Sequence, residues 1–207
     1  MTPQHFAEIA DAVCAVCRRF GERNWCLATS GNFSARVGED LCLITQSGRD
    51  KAMLGIDDLM LCRLDGRALD DACRPSAETP LHLALYSQDD SIGSVLHTHS
   101  VASTVLSRAA GDTLSFEGFE MQKAFSGVQS HEESRAIRVF DNDQDIPALA
   151  SRLRDAFADA EIVVPGFLIR GHGLYAWGRT IDEAARHIEG FEFMLECLLH
   201  ESGAPAR

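Results

Sequence analysis

The segment Ser94-Val95-Leu96-His97-Thr98-His99 follows a glycine and joins a short apolar run to a His-x-His pair. An apolar run of this length after a glycine is typical of a buried strand. Residues two apart on a strand point to the same face about 7 Å apart, so His97 and His99 can reach one ion. A lone His-x-His pair is also common among surface and core histidines. A metal site therefore requires further ligands.

Helical and extended patterns follow each other on both sides of this strand. An apolar stripe that begins at Pro3 predicts a helix ending near Gly21, and a capping box at Thr180 and Glu183 predicts a last helix to about His200. Further helices are predicted over 79–86, 101–108 and 146–157, and strands over 32–37, 41–45, 161–164 and 167–177. The sequence predicts an α/β sandwich with a largely antiparallel sheet.

Length and charge limit the kinds of protein this can be. The chain has 207 residues, and we expect 1–207 to form a single domain, with 203–207 as a flexible tail. Lysine and arginine number 19 against 31 acidic residues, for a net charge of −12, and no basic stripe is present. Nucleic acid is therefore not an expected partner. An anionic ligand would have to be held by local N–H groups and a few basic side chains.

The sequence also suggests a cellular compartment. The first twenty residues lack a basic segment followed by a continuous apolar stretch, and no window approaches the length of a membrane span. Seven cysteines at scattered spacings fit reduced thiols better than a disulfide framework. We expect a cytoplasmic protein without a membrane partner.

Two further segments offer metal ligands. His172 lies between two glycines, where the backbone can turn sharply, and Glu78 lies four residues before His82 on one face of a predicted helix. Three histidines beside a carboxylate suit first-row metals, with zinc as the first expectation and manganese or iron as alternatives. Such a metal would polarise a carbonyl group. The remaining histidines, for which structural or solvated roles are expected, are His5, His131, His187 and His200.

Two short loops carry hydroxyl groups and glycines at strand ends. They are Thr29-Ser30-Gly31-Asn32 and the segment 45–51, which contains Ser47-Gly48 and ends in Lys51. Each can present N–H groups and a hydroxyl to a phosphate, although Ser-Gly pairs more often mark ordinary turns. No P-loop or dinucleotide fingerprint accompanies them, so a nucleotide cofactor is not expected.

Five motifs in order resemble the class II aldolase family of zinc-dependent aldolases, epimerases and their relatives. The motifs are TSGNFSAR (29–36), ITQSGRDK (44–51), PSAETPLHLALY (75–86), VLHTHS (95–100) and RGHGLYAWG (170–178). Each motif alone is ordinary, but their order and spacing extend the resemblance from about Phe6 to His200.

The resemblance implies a three-layer α/β/α sandwich with a Zn²⁺ ion held by His97, His99 and His172. It also implies a phosphate site in the two loops, and a homo-oligomer, commonly a tetramer, with sites near subunit interfaces. The implied phosphate contacts are Ser30, Gly31, Asn32, Ser47, Gly48, Lys51 and Ser76. The aldolases carry a pair of serines in the last of these segments, where this chain has Ser76 followed by Ala77.

Within the family, the segment FEGFEMQKAFSG (116–127) is most similar to dehydratases that act on a methylthio-substituted ketose phosphate in methionine salvage. This similarity implies Glu120 as the catalytic acid/base, with Glu117 as the alternative. A partly apolar site is expected to raise the pKa of Glu120. Glu78 matches a catalytic glutamate of the aldolases, and its role as ligand, base or neither stays open. Candidates for an apolar pocket, with core packing as the ordinary alternative, are Phe116, Phe119, Met121 and Phe125.

Two other functions are compatible with the same motifs. A class II sugar-phosphate aldolase or epimerase, of the fuculose- or ribulose-phosphate type, would use the same zinc site, and the residue that faces C4 of the substrate would decide between cleavage and dehydration. A non-catalytic, adducin-like interaction module is the third interpretation. The presence of all three histidines, both loops and two candidate acid/base glutamates argues against this last interpretation.

Overall fold

The computed structural model describes residues 2–70, 72–158 and 164–203. The helices are α1 (Pro3–Glu22), α2 (Thr79–Gln88), α3 (Val101–Ala109), α4 (Ile146–Ala158) and α5 (Ile181–Gly203). The strands are β1 (Asn32–Arg36), β2 (Leu41–Thr45), β3 (Leu59–Arg63), β4 (Ser94–Thr98), β5 (Thr113–Phe116), β6 (Arg135–Phe140), β7 (Gly166–Ile169) and β8 (Gly173–Gly178). Short 3₁₀ turns lie at Leu27–Thr29, Lys51–Met53, Ile56–Asp58 and Glu120–Ala124.

One mixed sheet contains these eight strands in the order β3-β2-β1-β4-β8-β7-β6-β5. Neighbouring strands are antiparallel except β6 and β7, which are parallel. Strand β4 lies near the centre of the sheet, between β1 and β8. The strand that contains His97 and ends just before His99 therefore has hydrogen-bonded neighbours on both sides, which fixes its position.

Both faces of the sheet are covered, because alternate strand residues enter two separate cores. Leu96 and Leu168 pack with α1, α3 and α5, whereas Val95 and Phe167 pack with α2 and α4. Five consecutive residues of β4 are buried, as expected of a strand with helices on both sides. The molecule is a three-layer α/β/α sandwich with a largely antiparallel sheet, which confirms the predicted fold class.

The predicted helices and the first hairpin are present, but three strands were not predicted: β3, β5 and β6. The strand predicted over 161–164 lies outside the described residues apart from Val164, which is in a bend. The tail predicted over 203–207 also lies outside them apart from Gly203, which ends α5. Among the described residues, none of the helices combines the length and apolar character needed to cross a membrane.

Candidate active site

The end of β4 brings two histidine rings together. His97 is fully buried and pairs with Tyr175 of β8 in the sheet register, and the two rings stack with centroids 3.8 Å apart. His99 lies just beyond the strand, where its backbone N–H donates a hydrogen bond to the Trp25 carbonyl oxygen at 2.7 Å. The rings of His97 and His99 lie 4.4 Å apart between centroids. The two rings are therefore neighbours, as expected, although His99 lies beyond the strand on which the spacing prediction placed it.

A tight turn between β7 and β8 carries His172 to the same point. Gly171 has φ +65°, a conformation that favours glycine. A Cβ atom on Gly173 would lie 2.1 Å from the Thr98 carbonyl oxygen, so only glycine allows β8 to begin this close to β4. The two glycines thereby place His172 with its ring centroid 5.0 Å from that of His97.

Glu78 completes a compact group of four possible metal ligands, which we call the His/Glu cluster: Glu78, His97, His99 and His172. One ligand atom from each of these residues lies within 4.8 Å of the others. Glu78 Oε1 is 2.9 Å from His172 Nε2, and Glu78 Oε2 is 3.5 Å from His97 Nε2. Glu78 precedes α2, whose first turn contains Pro80, so the helix start fixes the backbone that carries the carboxylate.

The donors and acceptors of the cluster fit a bound cation. His97 Nδ1–H donates to the Leu174 carbonyl oxygen at 2.9 Å, which leaves Nε2 of neutral His97 as a lone pair. That Nε2 lies only 3.3 Å from Nε2 of His172. The buried Nε2 of His99 has no hydrogen-bond partner among the described residues. Lone pairs and a carboxylate that converge in this way could hold a metal ion.

Burial sets the protonation of these groups. It lowers the pKa of His97 well below its ordinary value and that of His99 to about 4, so both rings are neutral and available as ligands. Burial alone would raise the pKa of Glu78, but the adjacent His97 and hydrogen bonds from His172 and Asn32 outweigh it and hold the pKa below its usual range. At neutral pH the carboxylate of Glu78 therefore lies beside two neutral imidazoles, those of His97 and His99.

A buried polar network lies directly behind Glu78. Asn32 Nδ2 donates to Glu78 Oε2 at 2.6 Å, and Asn32 Oδ1 is hydrogen-bonded to His82 Nε2. His82 is fully buried, and burial lowers its pKa to about 4. Its Nδ1 lies 2.7 Å from Ser34 Oγ, which is itself 2.8 Å from the Tyr86 hydroxyl. This network joins β1 to α2 beneath the cluster.

A cleft of about 250 Å³ opens beside the cluster. It is lined by His99, His172 and Glu78, and also by the residues predicted to contact phosphate: Ser30, Gly31, Asn32, Ser47, Gly48, Lys51 and Ser76. The buried Ser30 Oγ has no partner among the described residues and is available to a ligand. The backbone N–H of Ser47 is bonded to the Arg74 carbonyl oxygen, so Ser47 can offer its hydroxyl but not its amide.

Lys51 is buried at the base of this cleft. Its Nζ donates to the carbonyl oxygens of Thr29 at 3.0 Å and Arg49 at 2.7 Å, so it links the two predicted anion loops. Burial lowers the pKa of Lys51. Ala28 and Thr29 both have left-handed backbone conformations, with φ of 53° and 64°, which are strained for residues with a side chain. The Lys51 bond holds this strained turn in place.

Glu120 is not among the residues that line the cleft. Its side chain is 67% exposed and pairs with Lys123 Nζ at 2.5 Å and His131 Nδ1 at 2.9 Å. The hydrogen bond from Lys123 lowers its pKa, whereas the sequence analysis expected a raised one. Phe116 and Phe125 are core residues that pack on Phe191, as in the ordinary alternative.

Two side chains next to the cluster, His82 and Tyr175, have no function predicted from the sequence. The four-residue spacing of Glu78 and His82 was visible but did not reveal the Asn32 contact. Tyr175 lies on a buried strand, and its buried hydroxyl makes no hydrogen bond to any of the described residues. The sequence does not reveal that Tyr175 lies beside the cluster, because an apolar run does not show which of its residues faces a site.

Two bacterial relatives are similar to this chain over more than nine tenths of its length. It is 53% identical over 196 residues to methylthioribulose-1-phosphate dehydratase from Marinobacter nauticus, covering 94% of each protein. It is 49% identical over 189 residues to methylthioribulose-1-phosphate dehydratase from Pectobacterium carotovorum subsp. carotovorum, covering 91% of this chain and 92% of the relative. These similarities extend across the His/Glu cluster and the cleft.

Solved structures share the fold. The crystal structure of L-fuculose-1-phosphate aldolase from Thermus thermophilus superposes with a TM-score of 0.76 at 24% identity, covering 96% of this chain and 99% of that one. The family described as Class II Aldolase and Adducin N-terminal domain matches residues 11–199. The chain belongs to the class II aldolase and adducin family.

Proposed function

We propose that this protein is a lyase that dehydrates 5-methylthioribulose 1-phosphate to the corresponding 2,3-diketo-5-methylthiopentyl 1-phosphate. The observation that carries the proposal is the cleft, where a three-histidine and glutamate cluster adjoins two anion-binding loops. A phosphorylated ketose needs both features, one for its carbonyl end and one for its phosphate. Relatives about half identical to this chain bear the name of the same reaction.

The metal of the proposal is Zn²⁺, one ion per subunit, with His97, His99 and His172 as ligands. Zinc bound there supplies a Lewis acid that polarises the C2 ketone of the substrate. Glu78 faces two of these histidines and serves either as a fourth ligand or as a base. The Leu174 carbonyl oxygen keeps His97 in the tautomer that a ligand requires.

The loops supply the phosphate site. With a net charge of −12, the field of the whole protein opposes an anionic ligand, so recognition has to be local. Ser30 offers a buried hydroxyl without a partner among the described residues, and Lys51 places its positive charge at the base of the same cleft. Hydroxyl groups and local N–H donors around one ammonium group are the usual means of holding a phosphate. The other proposed contacts are Gly31, Asn32, Ser47, Gly48 and Ser76.

Glu120 is the proposed acid/base. A carboxylate at this position takes the C3 proton of the substrate and returns a proton to the C4 hydroxyl, which leaves as water. The resulting enol then tautomerises to the diketone. Glu120 reaches the substrate only after its surface ion pairs with Lys123 and His131 are released, and exposed pairs of this kind are weak.

The proposal includes a cytoplasmic homo-oligomer, a tetramer, that acts in methionine salvage. Large apolar side chains on the surface support self-association: Val101 is 67% exposed, Phe193 48% and Leu27 55%. Apolar side chains mark a protein contact where they form one contiguous exposed patch, so we place these residues in a shared interface. The molar mass in solution, measured by light scattering, tests this part separately from the activity.

A sugar-phosphate aldolase is the second candidate. The structure of L-fuculose-1-phosphate aldolase superposes on this chain with a TM-score of 0.76, and the sequence resemblance matches Glu78 to a catalytic glutamate of the aldolases. An aldolase would remove a proton from the C4 hydroxyl and break the C3–C4 bond, whereas a dehydratase donates a proton to that oxygen. The reaction products distinguish the two functions.

The deciding experiment incubates the zinc-loaded protein with 5-methylthioribulose 1-phosphate and follows the products by NMR and mass spectrometry. The matched control is the same protein stripped of metal by a chelator. Loss of one water and appearance of the diketone only with metal is the expected result. Cleavage into two carbonyl compounds would assign the aldolase function, and unchanged substrate would contradict both and favour an epimerase or a binding module.

A further inference from the structure

We propose that His82 is a positioning residue that fixes the side-chain amide of Asn32 and, through it, the carboxylate of Glu78. The inference deepens the proposed function and rests on it, because His82 lies behind the same cleft. His82 does not line that cleft among the described residues. Its effect therefore has to pass through Asn32.

Because the ring of His82 is buried, water cannot replace its hydrogen-bond partners. The side chain is fully buried between α2 and the sheet, with its ring against the edge of Tyr175 at 5.8 Å between centroids. Each ring nitrogen has one partner: Nδ1 meets Ser34 Oγ at 2.7 Å, and Nε2 meets Asn32 Oδ1. A buried polar atom that loses its partner costs roughly 1–3 kcal/mol, so both contacts constrain the ring.

The carboxylate of Glu78 gives the network a direction. An ionised carboxylate only accepts hydrogen bonds, so Asn32 has to turn its NH₂ group toward Glu78 and its carbonyl toward His82. That carbonyl needs a donor, which places the proton of neutral His82 on Nε2. Nδ1 then accepts from the Ser34 hydroxyl. The donors and acceptors then follow each other in the order Tyr86, Ser34, His82, Asn32, Glu78.

Replacing His82 removes the donor that holds the Asn32 carbonyl. The amide could then rotate and present its oxygen to Glu78, where two acceptors repel each other. The two oxygens of Glu78 face His172 and His97, so any turn of this carboxylate changes the cluster. The four-residue spacing of Glu78 and His82 places both on one side of the start of α2.

The test compares His82→Phe and His82→Gln with a control variant, His187→Phe. His187 is also a buried histidine with two partners, the Trp177 carbonyl oxygen at 2.6 Å and the Ser126 N–H at 3.3 Å, but it lies outside the cluster and the cleft. For each protein we would measure kcat and KM with 5-methylthioribulose 1-phosphate, thermal stability, and the visible absorption spectrum of the cobalt-substituted form without substrate.

We expect His82→Phe to lower kcat by about 10- to 100-fold, as is typical when a group that orients a metal site is lost, with a small change in KM. Its cobalt spectrum should shift, since Glu78 is no longer held. His82→Gln should recover most of kcat and the spectrum, because an amide can both donate and accept. His187→Phe should keep both while losing similar stability.

An unchanged kcat and cobalt spectrum in His82→Phe would overturn the inference, as would losses matched by His187→Phe. If His82→Phe does not fold, Ser34→Ala replaces it, because it removes the hydroxyl that holds Nδ1 of the His82 ring. A shifted spectrum in Ser34→Ala then supports the inference, and an unshifted one overturns it. If the wild-type protein does not dehydrate the substrate, the proposed function fails, while the cobalt spectra still decide the role of His82.

Discussion

The His/Glu cluster and the segment that carries Glu120 differ in how firmly the fold holds them. The cluster is built on a central strand, a glycine-bounded turn and a helix start, and its four ligand atoms already converge. Glu120 lies on the short 3₁₀ turn Glu120–Ala124, with its side chain mostly exposed. The ligand atoms of the His/Glu cluster are held together within one chain, whereas the carboxylate of Glu120 is exposed to solvent.

The backbone of the Glu120 segment is nevertheless anchored. A Cβ atom on Gly190 of α5 would lie 2.6 Å from the Cβ of Ala124, so the turn packs tightly against that helix. Phe125, directly after the turn, is buried against Phe191. The difference between the regions thus concerns the Glu120 side chain and not the chain path. We expect metal binding to be independent of Glu120 and turnover to require both regions.

The largest effect is expected from removing a ligand of the cluster. His97→Ala should lose bound zinc and reduce turnover by about 10³-fold or more, because a metal ion contributes several kcal/mol to transition-state stabilisation. Zinc content by elemental analysis and kcat with 5-methylthioribulose 1-phosphate measure the two losses. The control is His200→Ala, since His200 is an exposed histidine of α5 outside the cluster. Full zinc content in His97→Ala would contradict its assignment as a ligand.

A narrower effect, a loss of turnover without a loss of zinc, is expected at the other region. Glu120→Gln should keep zinc but lose about 10²- to 10⁴-fold in kcat, which is the usual contribution of a general acid/base. Glu117→Gln is the matched control, because Glu117 is also exposed and lies three residues earlier in the chain. Kinetics and zinc content of both variants make the measurement.

The outcomes for this pair separate the alternatives. A loss in Glu117→Gln alone would transfer the acid/base role to Glu117. Wild-type rates in both variants would remove the acid/base role from this segment, and Glu78 would become the remaining candidate. Loss of zinc in Glu120→Gln would contradict the independence of the two regions.

The sequence predicted the centre of the fold better than its edges. Strand β4 and helices α1 and α5 carry strong patterns because both cores depend on them. Strands β3 and β5 are the edge strands of the sheet. Two of the four residues of β5 are exposed, so this strand gives little hydrophobic signal, whereas β3 begins with the apolar run Leu59–Cys62 and its strand character was readable from the sequence. Strand β6 does alternate, with Ile137 and Val139 buried between exposed residues, and this pattern was overlooked.

At the site, the sequence pointed to residues that the fold brings together, but it did not reveal their contacts. The three histidines and Glu78 converge, and the predicted loop residues line one cleft. The burial of Lys51 and the bond between His82 and Asn32 depend on residues far apart in the chain, 50 positions in the second case. Spacing within one element cannot reveal such pairs. The same limit applies to Glu120, whose exposure is set by tertiary packing.

The smallest effect on turnover is expected behind the cluster, at Glu192 of α5. This side chain is 2% exposed, accepts a hydrogen bond from Thr98 Oγ1 at 2.6 Å, and has no partner for Oε2 among the described residues. Burial raises its pKa to about 7. An unfolded glutamate has a pKa near 4.3, so the folded state prefers the protonated form of this residue.

The sign of the pH dependence follows from this difference. The stability that protonated Glu192 contributes is fully present below about pH 4 and is lost as the pH rises to about 7, a loss of roughly 3 kcal/mol. The glutamine in Glu192→Gln stays neutral, so the variant does not lose this stability as the pH rises. The free energy of unfolding of Glu192→Gln, relative to that of the wild-type protein, should therefore increase by that amount between pH 4.5 and pH 7.5. Urea unfolding of both proteins at the two pH values measures it, while kcat at neutral pH should change by less than about threefold. If the free energy of unfolding changes with pH by the same amount in both proteins, Glu192 ionises normally in the folded protein. Thr98 of β4 would then be hydrogen-bonded to an ordinary carboxylate.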